Sequence, residues 1–156
     1  MNPTPAPTSD EPIGRVVAIA VRSAARRPMI EIEQALARIG GGLEGDYAAR
    51  GARGISFLSA AQWEAVTREL SADLPWHTRR ANVLVDANGL AHLIGRRIRF
   101  GEVEVRVEGE TAPCGLMDAL HPGLRAALHG DCRGGVYGRV LHGGQFRVGD
   151  TLLLLE

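Results

Sequence analysis

Few residues in this 156-residue chain are of a type and in a setting that could do chemistry. The foremost is Cys114, in the run Gly-Glu-Thr-Ala-Pro-Cys-Gly-Leu-Met at 109–117. Pro113 before it has a fixed φ and no N–H for a β-ladder. Gly115 after it has no Cβ and lets a ligand or another backbone approach. A thiol between such neighbours, with a strand pattern before it and a helical pattern after it, is displayed to bind or carry something. If it opens the helix, the helix dipole favours its thiolate. The competing reading is a small buried hydrophobe, the commoner fate of a free cysteine. The second thiol, Cys132, stands in the polar run Gly-Asp-Cys-Arg-Gly and reads as a tolerated surface residue. His121 and His142 are candidate bases for a Cys–His pair with Cys114, although no local protease signature surrounds it.

Other residues narrow the options. All 18 basic residues are arginine. With no lysine there is no Schiff base, no lysine general base and no Walker-type phosphate lysine. Anion recognition therefore falls to arginine forks, backbone N–H groups and hydroxyls. Arg80 and Asn82 open an apolar strand pattern, and the period-two rule puts them on one face as a possible anion clamp. The competing reading is a solvated strand end. Residues 40–46 hold four glycines and end in Gly45-Asp46, without nucleotide-loop spacing. That run reads first as a sharp turn and second as a source of ligand contacts. No Cys-x-x-Cys or His-Glu-x-x-His is present, so a zinc site is poorly supported.

These residues must be positioned by surrounding elements. Residues 15–21 are rich in β-branched side chains and read as a strand buried on both faces. Residues 29–39 are ambiguous between an alternating strand at Ile30 and Ile32 and a short helix over 33–39. Residues 55–58 form a strand, and Ser59 caps a helix over 60–70 whose buried face carries Trp63 and Val66. Residues 73–78 form a loop containing Pro75-Trp76-His77, and a strand follows over 79–86. A hairpin turns at Gly101-Glu102, pairing Phe100 with Val103, Arg99 with Glu104 and Ile98 with Val105. It leads straight into the Cys114 loop. A short helix follows Cys114, and a second starts at Pro122 and ends near His129. Strands over 134–141, 145–148 and 151–155 close the chain. The total is seven or eight short strands with two or three short helices. That is a mainly β fold, a closed or nearly closed antiparallel β-barrel, without a βαβ rhythm.

Bulk properties agree with one domain over 13–156 behind a proline-rich disordered tail at 1–12. Hydrophobic content is 45% and formal net charge is zero. Nucleic acid and anionic membranes are therefore not expected partners. No signal peptide or membrane span is read, and two cysteines make no disulfide scaffold, so a reducing cytoplasmic setting is expected.

Taken in order, Gly42-Leu43-Glu44-Gly45-Asp46, Arg80-Ala81-Asn82-Val83, Gly95 to Gly101, Pro113-Cys114, Gly134-Gly135-Val136-Tyr137 and Gly149-Asp150 resemble the MOSC domain. That domain occurs at the C-terminus of molybdenum cofactor sulfurases and in small stand-alone proteins. The resemblance spans essentially the whole of 13–156. It implies a β-barrel that works with the molybdenum cofactor, a pterin dithiolene bearing a phosphate, and needs no pyridoxal phosphate. It implies that Cys114 is the family's cysteine, either a molybdenum ligand in an oxidoreductase acting on N-hydroxylated substrates or a persulfide sulfur carrier. It further implies that Arg80 and Asn82 contact the pterin phosphate or polar edge. Gly45, Asp46, Gly135 and Tyr137 are expected to line the same pocket. Partners would be a cysteine desulfurase or a separate electron-donor protein. The alternative is a non-catalytic cofactor carrier or a protein-interaction module.

Overall fold

The computed structural model describes residues 10–47 and 53–155. Residues 1–9 of the expected tail, and 48–52, lie outside the described residues. The first strand, β1 (Glu11–Val21), already includes Glu11 and Pro12, which pair with Leu154 and Leu153. The remaining strands are β2 (Ile30–Ile32), β3 (Gln34–Ala37), β4 (Ile55–Ser59), β5 (Val83–Val85), β6 (Arg97–Phe100), β7 (Val103–Glu110), β8 (Val136–His142), β9 (Gly144–Arg147) and β10 (Thr151–Leu154). Three short helices join them: α1 (Ala60–Glu69), α2 (Gly115–Leu120) and α3 (Leu124–Ala127). No helix among the described residues is long and apolar enough to cross a membrane.

Seven strands close into a barrel in the order β10-β6-β7-β8-β4-β5-β1, with β1 pairing back onto β10. Closure leaves these strands no free edge. Strand β2 adds outside the ring, on β1, and β3 pairs separately with β9. Of the two readings left open for 29–39, the short helix over 33–39 does not form, and Gln34–Ala37 is strand β3. Its burial alternates at Gln34-Ala35-Leu36-Ala37, so pairing with β9 overrides a helical pattern only a few residues long.

The expected hairpin is present with its expected register: Phe100 opposite Val103, Arg99 opposite Glu104 and Ile98 opposite Val105. Ser59 caps α1, its side chain accepting from the Gln62 N–H. One expectation needs correction. Strands β4 and β5 run parallel, joined by α1, so a single βαβ unit sits inside an otherwise antiparallel barrel. Both faces of these strands are covered. Phe57, Val83 and Val85 point into the barrel core, while Leu58 and Leu84 join Trp63, Val66, Met117, Leu124 and Leu128 in a second cluster under the helices. That double coverage is why β5 reads as the unbroken apolar run Val83-Leu84-Val85, and why β4 carries Phe57 and Leu58 side by side.

The barrel core is pinned by three rings. Phe100 meets Phe57 edge-on at 5.6 Å and Phe146 at 4.8 Å between centroids. Pairs of this geometry contribute about 0.5–1.5 kcal/mol each beyond area burial.

Candidate functional site

At one end of the barrel β1 and β7 finish while β4, β5 and β8 begin. A cleft of about 250 Å3 opens there, with Cys114, Arg22, Arg53, Arg79, Arg80, Asp46, Asn82, Thr111 and Tyr137 in its wall. A bulge between Val107 and Gly109 turns the end of β7 toward it. Thr111 is then held by its N–H, which donates to the Gly135 carbonyl at 2.9 Å. Cys114 follows with extended backbone as the N-cap residue of α2, its side chain exposed and taking no part in capping.

The paired arginines before β5 diverge. Trp76–Arg79 form a 3-10 turn, and Arg80 closes it in the left-handed region at φ 65°. This sharp reversal sends Arg79 inward, where it is 7% exposed, and leaves Arg80 in solvent at the cleft wall. The period-two pairing of Arg80 with Asn82 therefore does not hold, because the strand begins only at Val83. Arg79 is the member that sequence reasoning missed. Its Nη2 donates to the Thr111 carbonyl at 2.6 Å, and its Nη1 lies 3.9 Å from the Met117 sulfur. Its Nε has no partner among the described residues, nor does the buried Thr111 hydroxyl. Burial lowers the Arg79 pKa, and the nearby Cys114 and Glu110 side chains act against that shift.

Asn82 is fully occupied within the protein. Its Oδ1 accepts from the Ser56 N–H at 3.1 Å and the Ser56 hydroxyl at 3.2 Å. Its Nδ2 donates to the Ala20 carbonyl and to Asp46 Oδ2 at 3.1 Å. Asp46 Oδ1 accepts from the Arg22 N–H at 3.0 Å. Asn82 and Asp46 thus tie the glycine loop, β1, β4 and β5 into one rim, and both carboxylate oxygens are engaged. Across the cleft the Arg53 guanidinium lies 4.9 Å from the centre of the Tyr137 ring.

Gly45 and Gly135 are not in the cleft wall. Gly45 has φ 88°, a turn conformation that frees Asp46 to face inward. Gly135 has φ 102°, and a Cβ there would lie 2.2 Å from the Phe57 carbonyl. It permits a close backbone approach instead of touching a ligand. Among the described residues no histidine lines the cleft, and Cys114 shares it with arginines. His142 instead sits against the Glu102 carbonyl, at 3.0 Å. Cys132 proves buried, contrary to its expected surface position, and burial raises its thiol pKa with Glu110 and Asp131 adding to the effect. Among the described residues no group of three or more His, Cys, Asp or Glu side chains is placed to hold a metal ion.

Among the described residues the wall therefore carries four guanidinium groups against one carboxylate that is already hydrogen-bonded, beside one exposed thiol. Such a cavity favours an anionic ligand with a soft centre.

Residues 39–153 match the MOSC domain. The chain belongs to the MOSC domain family. That family is associated with the molybdenum cofactor. The chain's fold is similar to the crystal structure of the YuaD protein from Bacillus subtilis, with TM-score 0.78 and 16% identity, covering 90% of this chain and 94% of that one. It is also similar to YiiM from Geobacillus stearothermophilus, with TM-score 0.74, 17% identity and coverage of 92% and 75%. YiiM from Escherichia coli gives TM-score 0.70 at 16% identity, covering 91% and 70%. A search of curated proteins by sequence gives no match. At these identities the structural likeness is one of fold. The assignment to the MOSC family rests on the match over 39–153.

Proposed function

We propose that this MOSC domain binds the molybdenum cofactor in the Cys114 cleft, with the Cys114 thiolate as a ligand of the metal. The observation that carries the reading is the exposed thiol set against a wall of arginines, one of them buried with an unpartnered Nε. The donor set fits the group: a soft sulfur for molybdenum and guanidinium forks for phosphate or other oxyanions. Arg22, Arg53 and Arg80 would hold the anionic parts, and Asn82 with Asp46 would keep the rim in register. When bound, the cofactor supplies two-electron redox chemistry at molybdenum, with N-hydroxylated compounds the substrate class suggested by the family and a separate protein the electron source. The chain's own part is to bind, to present the thiolate and to line the cleft with Met29, Leu116 and Met117 against water.

A second reading is sulfur transfer. The exposure of Cys114 favours it, because a cysteine desulfurase could reach the thiol. The Cys114 thiolate would attack the outer sulfur of the donor's persulfide, breaking the donor S–S bond, releasing the donor thiolate and leaving a persulfide on Cys114.

Protein purified from a cofactor-producing host decides between these readings. Molybdenum and pterin at near-stoichiometric levels, with molybdenum lost in Cys114→Ser, are expected for cofactor binding. Absence of both from well-folded wild-type protein defeats it. A persulfide on Cys114 by mass spectrometry after desulfurase treatment would favour the carrier role.

A further inference from the structure

Among the described residues, two buried donors on side chains that line the cleft are left without partners: Arg79 Nε and the Thr111 hydroxyl. They belong to one local unit, because Arg79 Nη2 donates to the carbonyl of Thr111 itself. Both residues line the cleft. Desolvating a guanidinium N–H and a hydroxyl without return bonds is costly, and such groups in a folded protein call for a partner. The floor has also been built to leave them room. A Cβ on Gly134 would lie 3.2 Å from Arg79 Nε and 3.0 Å from the Thr111 carbonyl, so a side chain there would crowd the guanidinium. Asn82 and Asp46, by contrast, already bond inside the protein.

We infer that Arg79 and Thr111 form a buried seat for one oxyanion group, beside Cys114 and separate from the arginines of the rim. Arg79 contributes its Nε–H and its charge, and Thr111 contributes an O–H donor. The ligand chemistry is a tetrahedral oxyanion, either the phosphate of a bound cofactor or a metal oxyanion held next to the thiol. The seat deepens the cofactor reading by naming the residues that receive charge, but it is testable on cofactor-free protein.

The test uses cofactor-free protein made in a host unable to synthesise the cofactor. Two probes, inorganic phosphate and molybdate, are titrated against the alkylation rate of Cys114, and their binding to Cys114→Ser is measured directly by calorimetry. At least one of the oxyanions should bind and slow alkylation. Phosphate as the better ligand identifies a phosphate-ester seat, and molybdate a metal-oxyanion seat. Thr111→Val keeps the side-chain shape and removes only the hydroxyl, and should weaken binding about tenfold, the scale of one lost hydrogen bond to a charged group. Arg79→Gln should weaken it further, while Arg68→Gln, at an exposed arginine of α1 outside the cleft, should change it little. Circular dichroism checks that each variant is folded. If Arg79→Gln fails to fold, the contrast between Thr111→Val and Arg68→Gln still decides. No binding of either anion to folded wild-type protein overturns the seat, and so does a loss in Arg68→Gln that equals or exceeds the loss in Thr111→Val. A cofactor-free result from the cofactor-producing host would defeat the function above and leave this measurement standing.

Discussion

The two cysteines part company at the level of single atoms. Cys132 is 7% exposed in a left-handed turn at φ 51°, and burial, Glu110 and Asp131 all raise its thiol pKa. It stays protonated through neutral pH, and a protonated, enclosed thiol is a poor nucleophile. Cys114 is exposed at the mouth of α2. Native protein at neutral pH should thus take up one equivalent of iodoacetamide, at Cys114, and a second only on denaturation. Peptide mapping showing Cys132 labelled first would contradict this. The sequence context alone ranked Cys114 above Cys132, because a Pro-Cys-Gly run restricts the backbone in a way visible in one dimension. It misjudged the burial of Cys132, since the Gly-Asp-Cys-Arg-Gly run is polar while the cover over its sulfur comes from residues distant in sequence. The Arg79–Arg80 pair shows the same limit. Which of two adjacent arginines turns inward depends on one left-handed residue, and nothing in the string Arg-Arg-Ala-Asn marks it.

Elements next to the site are fixed by close backbone approach. Gly135 is the tightest of these. Its φ is 102°, its own N–H donates to the Cys132 carbonyl, and its carbonyl accepts from the Thr111 N–H. A methyl at Gly135 would meet the Phe57 carbonyl at 2.2 Å, so the junction of β8 with β4 would have to part. Gly135→Ala should cost about 3 kcal/mol or more, combining left-handed strain with a backbone clash. Urea unfolding measures this, and a wild-type midpoint would disprove it. The same change would displace Thr111, so oxyanion binding should fall with stability. Glycine-rich segments were legible as turns from composition. Whether a glycine touches a ligand or only lets two strands approach was not, because that depends on what lies across the gap. Likewise the βαβ unit was hidden. Strands β4 and β5 each read simply as a strand, and their parallel pairing emerges only when α1 is seen to bury Leu58 and Leu84 from outside.

Closure of the whole barrel joins strands from distant parts of the chain: β1 pairs with β10, and β4 with β8. Long-range pairings of this kind give no local reward until the core between them is filled. Alternating patterns such as Arg-Ile-Arg-Phe and Val-Glu-Val-Arg-Val announced the barrel, because one face of each strand must be apolar. The core residue that fastens the ring is Phe100, whose ring bridges Phe57 on β4 and Phe146 on β9 and is 1% exposed. Phe100→Ala removes both edge-on contacts and leaves a cavity that seven hydrogen-bonded strands cannot collapse around. The expected loss is about 3–5 kcal/mol, a large share of the roughly 5–15 kcal/mol that holds a domain folded. Val17→Ala, on β1 but 43% exposed, should stay within about 0.5–1 kcal/mol of wild type. Since the cleft is made only where β1, β4, β5, β7 and β8 meet, loosening the core should also loosen the site. Phe100→Ala is therefore expected to lower the thermal midpoint and to blunt the contrast in labelling between Cys114 and Cys132 at elevated temperature. Differential scanning calorimetry and timed alkylation of the two variants test both parts. Equal losses in Phe100→Ala and Val17→Ala would show that the three-ring stack does not fasten the barrel.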